Sequence, residues 1–442
     1  MNKFETKQLK RLQRQKEQKR YDGYLTGFVV IIIAMRIVNE ISSNISTYIQ
    51  SAVVNEFFVS KGMTYEQGLA SFTTMNMAVS AFTMLMVVYK PLADILGRKT
   101  ILAINIAGVA IGMLVVFVSS GPAIYLFGVA LYSFFTQNDV QMLYVLETAP
   151  KEKNASIFSI IKSIGILGLV FVPVLRDGVL GNDMSKWRYL YFWPVILCLI
   201  VFIMFVIFTK ETDTFINARI ATIKGYEENE KQQYKAGLKE SIRYILSNKE
   251  LKSGVLAYCF YGTCTMATYM YVESIMTTNG MSAQQITKAM YVYPFVYGGL
   301  YFLSGFVADK LGRKKVVVTS SLLVACGFCL FIYGCSVGIN PYIIGLIQGV
   351  YLGSFWICGD YISVLFLENV PTHLRSSVLS GSSVLMVGGV ALGLAIQMIL
   401  LLNFGLNVAT ICLVGPCMLA CGLTVLFKVK ETRGTDLDEV KE

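Results

Sequence analysis

The sequence predicts an all-α membrane protein of twelve transmembrane helices arranged as two parallel six-helix repeats. Three observations carry that fold class: an apolar composition, the spacing of the apolar runs, and short phrases that occur twice in the same order. Hydrophobic residues make up 55% of the 442 and charged residues only 15%, and the mean hydropathy of +0.59 is far from what a water-facing surface needs. Apolar stretches of about 20 residues, enough to cross a ~30 Å hydrocarbon layer as helix, begin near Gly23, Gly68, Thr100, Pro122, Ile157 and Leu190. A second set begins near Ser253, Gln284, Val316, Pro341, Ser376 and Asn407.

The phrases that recur make the two sets equivalent. "LADILGRKT" at Leu92 to Thr100 returns as "VADKLGRKK" at Val307 to Lys315, with Asp94 matching Asp309 at an offset of 215. "GMTYEQ" from Gly62 returns as "GMSAQQ" from Gly280, an offset of 218, and each places a Thr or Ser three residues before a Gln. That is capping-box spacing, so each phrase opens the second span of its half. "YVLETAP" ends the fourth span at Glu147 and "LFLENVP" the tenth at Glu368; "KET" follows the sixth span from Lys210 and the twelfth from Lys430. Near-constant offsets in constant order imply two similarly built halves with one orientation, an architecture used by transporters.

Lys and Arg set the orientation, because cytoplasmic loops near helix ends are enriched in them. The first 20 residues hold Lys3, Lys7, Lys10, Arg11, Arg14, Lys16, Lys19 and Arg20 against Glu5 and Glu17, which places the N-terminus inside. Twelve spans then return the C-terminus to the same side, with both GRK loops and the Lys210 to Lys252 segment. Arg176, Lys186 and Arg188 are the exceptions on the outer side. The net charge of +10 therefore reads as topology and contact with anionic lipid, and nucleic acid is not an expected partner. The first apolar run lies behind a basic, polar lead and is read as a span that doubles as insertion signal, with no cleaved leader.

The expected organisation is a basic cytoplasmic segment (1–22), an N-terminal six-helix half (23–209), a cytoplasmic linker (210–252), a C-terminal half (253–428) and a cytoplasmic tail (429–442). The linker, with "EENEKQQYKAGLKE" at its centre, is read as short amphipathic helices. Nine of the ten cysteines fall in the second half, almost wholly within apolar spans. The CGFC at Cys326 and Cys329 lacks a second ligand pair, so buried thiols are expected rather than a metal site.

On "LADILGRK" and "GFVADKLGRKK" the chain resembles the major facilitator superfamily, whose loop motif Gly-x-Leu-Ala-Asp-x-x-Gly-Arg-Lys follows the second and eighth spans; the resemblance covers all twelve. It implies cytoplasmic gating by Asp94, Gly97, Arg98 and Lys99 in the first half, and by Asp309, Gly312, Arg313 and Lys314 in the second. "ENVPTHLRSSVLSG" from Glu368 and "RGTDLDEV" after Glu431 are similar to the sugar-porter branch. That likeness implies a salt-bridge network of Glu211, Glu368, Arg375 and Glu431, with Glu147 as the first-half counterpart of Glu368. Lys90 replaces the first motif's leading Gly and Asn154 replaces the Arg that would match Arg375, so the first-half latch is expected to be the weaker. The seventh span lacks the branch's Gln-Leu-Ser element and the fourth lacks its Arg, which leaves the solute open.

Charges within spans need a reason, because each costs about 2.5–3.5 kcal/mol at mid-bilayer. Arg36 and Glu40 lie one turn apart on the first span and can pair. Asn39, Ser43, Asn44 and Thr47 extend that polar face toward a wet cavity; a structural pair facing another helix is the alternative. Asp139 precedes Glu147 by eight residues and Asp360 precedes Glu368 by the same eight, which puts each Asp about 12 Å deeper into the membrane. Glu40, Asp139 and Asp360 are the candidate proton carriers, against helix-to-helix hydrogen bonds as the plain alternative. The single histidine, His373, lies in a loop. Gln137, Asn138, Gln141, Gln348, Trp356 and Gln397 are further solute-site candidates through hydrogen bonds or stacking, as is Tyr261 among the tyrosines of the seventh and eighth spans, for most of which packing is the plain alternative.

No nucleophile and base constellation, metal-ligand set or nucleotide-binding glycine loop appears, so no enzyme activity and no cofactor are expected. The expected function is secondary transport of a small polar organic solute by alternating access. Proton coupling is expected, in the cell membrane, by a monomer. A sugar or polyol is the leading reading; an organic acid, an organic cation, an uncoupled facilitator and a non-transporting sensor are the rivals.

Overall fold

The computed structural model describes residues 9, 12–14, 16–17, 22–83, 85, 89, 92–136, 138–148, 154–181, 183–223, 238–368, 370 and 375–431. Among the described residues the structure is helical and holds no strand. The first span is α1 (Tyr24–Ile45), continued through a 3-10 turn at Ser46–Tyr48 into α2 (Gln50–Phe57). The break has a local cause. Ser42 and Ser43 donate to the Asn39 carbonyl (3.0 and 2.7 Å), Asn44 to that of Glu40 (2.8 Å) and Thr47 to that of Asn44 (2.7 Å). Side chains that bond back to their own helix bend it.

The second span, α3 (Tyr65–Thr83), is followed by α4 (Leu92–Leu96) in the loop and by the third span, α5 (Arg98–Phe117). The fourth is split into α6 (Pro122–Phe135) and α7 (Asn138–Thr148), the fifth into α8 (Asn154–Leu167) and α9 (Phe171–Val179), and the sixth is α10 (Tyr189–Phe208). In the second half, α13 (Lys249–Tyr269) and α14 (Val272–Thr278) form a broken seventh span, followed by α15 (Ala283–Leu311), α16 (Arg313–Val337) and α17 (Pro341–Glu368). The final helix, α18 (Arg375–Lys428), reverses at Gly405 (φ 73°, ψ 172°) and so supplies two spans. Helix starts fall within about one turn of the expected ones.

Both expected capping boxes form. The Thr64 backbone N–H donates to Gln67 Oε1 (3.1 Å) and the Gln67 N–H to Thr64 Oγ1 (3.3 Å); Ser282 and Gln285 repeat the exchange at 2.8 and 3.3 Å. In the linker, α11 (Asp213–Ile223) buries Phe215 and Ile216 against Leu12. Its neighbour α12 (Leu238–Ser247) buries Ile245 against Leu251, Val255, Val370 and Val378. Residues 224–237, the centre of the expected amphipathic segment, lie outside the described residues.

The halves meet along two seams, α3 against α18 and α8 with α9 against α15. Large apolar side chains point away from the bundle, among them Ile207, Phe404, Phe427 and Tyr333, all more than 60% exposed. A water-soluble protein does not leave such a belt uncovered, whereas hydrocarbon solvates it. All ten cysteines are free thiols, but Cys326 and Cys329 are exposed on the outside of the bundle instead of buried as expected.

Candidate functional site

A cavity of about 370 Å³ lies between the halves, large enough for a small polar molecule. Of the expected solute-site residues, Arg36, Glu40, Gln141, Gln348, Trp356 and Asp360 line it. Ser43, Asn44 and Thr47 line it too, as do Tyr48, Tyr269, Tyr293 and Tyr297. The bent end of α1 is what turns its polar side chains into this space. Arg36 and Glu40 form the expected ion pair, each side chain 13% exposed. The Arg36 stem rests on α8 at Gly165, where any Cβ would overlap its Cγ.

Other expected residues are elsewhere. Asn39 and Gln397 are buried, at 4% and 1% exposure, and do not line the cavity. Tyr261 stacks on Phe355 at 4.4 Å and presses against Gly359, packed behind the wall instead of in it. The side chains of Asn138 and Asp139 lie outside the described residues. So do those of Asp94, Asp309, Glu368 and Arg375, and all of Lys90, Gln137 and His373.

One cavity charge was not foreseen. Lys162 on α8 reaches Asp360 Oδ2 at 2.6 Å and the Tyr301 hydroxyl, and stands 4.4 Å from the Tyr301 ring centroid. A lone lysine in "FSIIKSIGI" is the only signal the sequence offered for it. Some cavity polar groups have spare capacity. Gln348 is 1% exposed and its Oε1 accepts no hydrogen bond among the described residues; Arg36 Nε likewise donates none. A buried, unsatisfied carbonyl costs about 1–3 kcal/mol, which a polar solute would recover.

Toward α2 and α14 the cavity is sealed by side chains from both halves. Glu273 on α14 accepts from the Ser51 N–H (2.8 Å) and hydroxyl (2.5 Å) on α2, and lies 3.7 Å from Arg176 on α9. Arg176 also donates to the Tyr48 carbonyl, Tyr48 donates to the Tyr293 hydroxyl, and Ser274 donates to Gln50 (2.7 Å). Thr73 and Tyr271 share a further hydrogen bond across the halves (2.5 Å). Arg176, an outer-side exception to the charge rule, is buried as the partner of Glu273. At the opposite end Trp356 is 37% exposed, and the Asp360 side chain 46%. The cavity is thus shut on one side and accessible at Trp356 and Asp360 on the other.

At the GRK loops the two halves repeat one construction. Gly97 (φ 101°, ψ 150°) and Gly312 (φ 95°, ψ 155°) precede α5 and α16. Glu211 accepts from the backbone N–H groups of Arg98 (3.1 Å) and Lys99 (3.2 Å), and Glu431 from those of Arg313 (3.0 Å) and Lys314 (3.1 Å). A carboxylate is well placed at a helix N-terminus. Only glycine supplies both the positive φ and the room, since a Cβ at either position would overlap the carboxylate. Burial pushes the Glu211 carboxyl above its ordinary pKa, opposed by the N–H groups of Lys99, Thr212 and Arg98 and by the Arg98 charge. Glu211 and Glu431, which the resemblance assigns to a salt-bridge network, each also cap a helix N-terminus through backbone amides. Arg98 and Glu147 form an ion pair (3.1 Å), with Thr212 donating to Glu147 (2.6 Å). These contacts brace each half at its GRK loop.

The profile of the Major Facilitator Superfamily matches residues 25–274 and 254–442. Among solved structures, a D-xylose-proton symporter superposes with TM-score 0.74 at 14% identity, over 93% of this chain and 99% of that one. The xylose transporter XylE from E. coli in an inward-open conformation gives TM-score 0.68 at 15% identity, over 94% and 99%. Its partially occluded inward-open form gives 0.68 at 14%, over 94% and 100%. Identities this low carry the fold alone. No curated protein matches the sequence significantly.

Proposed function

We propose, from the premise that this chain belongs to the major facilitator superfamily of transporters, that it carries a small polar organic solute through the cavity between its halves by alternating access. The observation that supports this most is the cavity itself. It is built from both halves, lined by hydrogen-bonding and aromatic side chains, and holds a Gln348 carbonyl that accepts no hydrogen bond among the described residues. Sealed on one side and accessible from the other, it suits one half-cycle of alternating access. The side of the GRK loops is the cytoplasmic one on the charge rule, which makes this an inward-facing state with both termini inside.

A sugar or polyol is the leading solute. Gln141, Gln348, Asn44 and Thr47 offer donors and acceptors to hydroxyls, and Trp356, Tyr269 and Tyr297 offer ring faces. The D-xylose-proton symporter among the fold neighbours agrees with that reading. Proton symport is the coupling we favour, supported by the proton symporters among the fold neighbours, with Glu40, Asp139 and Asp360 as the candidate carriers. Two cations in the cavity, Arg36 and Lys162, favour a carboxylate-bearing solute as the second reading. The test is a thermal-shift screen of purified protein against sugars, polyols, carboxylates and amines at about pH 5.5 and 7.5, because a ligand of the native state raises its stability. A sugar or polyol hit supports the leading reading, and a carboxylate hit that vanishes in Arg36→Ala transfers it to the second.

A further inference from the structure

The lysine in the cavity is held by two groups of the other half of the protein. Lys162 comes from α8, Asp360 from α17 and Tyr301 from α15. The Lys162 ammonium donates to Asp360 Oδ2 at 2.6 Å and to the Tyr301 hydroxyl, and lies over the Tyr301 ring at 4.4 Å from its centroid. The same hydroxyl donates to Asp360 Oδ2. A carboxylate beside an aromatic face is the chemistry by which proteins recognise ammonium ions. The arrangement is also reachable from water, with the Asp360 side chain 46% exposed and Trp356, one turn earlier on α17, 37% exposed.

We propose that Asp360 and Tyr301 form an ammonium-binding site of the C-terminal half, occupied in this state by the chain's own Lys162 from the N-terminal half. Tethering gives Lys162 an effective concentration of millimolar or more at the site, so a dilute free amine competes poorly. The consequence for the solute rests on the transporter reading. The charged side chains described around the cavity are Arg36, Glu40, Lys162 and Asp360, and their charges cancel. With its cation site filled from within, the cavity admits a neutral or anionic solute and turns away organic cations.

Chemical rescue tests the site without knowledge of the solute. Purified Lys162→Ala protein is unfolded thermally with and without n-butylammonium chloride, with sodium chloride as the ionic control. Lys162→Ala is expected to unfold several degrees below wild type, and about 50 mM n-butylammonium to restore at least half of that loss. Wild type, whose site is full, and Lys162→Ala with Asp360→Asn, whose site has lost its charge, are expected to move by less than about one degree under the same salt. If Lys162→Ala does not accumulate, Lys162→Met with methylammonium replaces it, since only the missing ammonium head then has to be supplied. Rescue that is absent, or equally large in the double variant, overturns the proposal. Either result leaves the transport reading where it stands, because no solute and no flux enter the measurement.

Discussion

Glu273 and Arg176, from opposite halves of the chain, face each other at 3.7 Å with each side chain 1% exposed. Removing one member of a buried ion pair leaves the other charge unpaired, at about 3–5 kcal/mol. Where that charge gains water by opening the seal, the protein has a way to lower the cost. Glu273→Ala is therefore expected to lower the unfolding midpoint and to populate a state open on the α2 and α14 side. An impermeant maleimide added from that side should label a cysteine introduced at Asn44 faster than in the parent, read as the increment over the chain's own thiols.

Gln348 carries opposite expectations for stability and binding. Gln348→Leu removes a buried carbonyl that accepts no hydrogen bond among the described residues, so the solute-free protein is expected to gain stability by up to about 1–3 kcal/mol. The same change removes a hydrogen bond to the solute, worth about 0.5–1.5 kcal/mol or roughly 2- to 13-fold in affinity. Thermal unfolding with and without ligand reads both signs in one experiment.

Gly97→Ala and Gly312→Ala should act alike despite lying in different halves. Each combines a positive φ with a Cβ that would overlap a carboxylate, so each is expected to cost about 1 kcal/mol or more and to displace Glu211 or Glu431 from its helix. Faster hydrogen exchange confined to the N-terminal turn of α5 or α16 is the measurement. Exchange unchanged in both turns would contradict the glycine and carboxylate construction.

Glu211 gives stability a pH dependence of definite sign. Its carboxyl titrates above the ordinary range when folded, so the native chain binds this proton more tightly than the unfolded one. Its contribution to stability is then lost as pH rises from the unfolded carboxylate value of about 4.3 through the raised native value. Across that window the unfolding midpoint of wild type is expected to fall relative to Glu211→Gln, in paired pH titrations of the two proteins.

Much of the fold was legible because bilayer crossing imposes length and apolarity locally, and because one half checks the other. The capping boxes at Thr64 and Ser282 and the pair of Arg36 with Glu40 are short-range features, written into spacing. What was not legible depends on contacts between the halves. Lys162 and Asp360 lie 198 residues apart, and Ser51 and Glu273 lie 222 apart; no periodicity links such positions. The pairing of Arg176 with Glu273 is hidden in the same way, because the partner lies in the other half. Tyr261 carried the right chemistry for the cavity, but stacking on Phe355 turned it into packing, which composition does not reveal.

The central claim is that the cavity between the halves is the route of a polar solute. Its most direct test is uptake of sugars, polyols and carboxylates into liposomes holding the purified protein, with the lumen made alkaline. Protein-dependent accumulation of one solute class is expected, lost when the proton gradient is collapsed and weakened by Gln348→Leu. Absence of protein-dependent flux for every class, or flux indifferent to both the gradient and Gln348, would contradict the account.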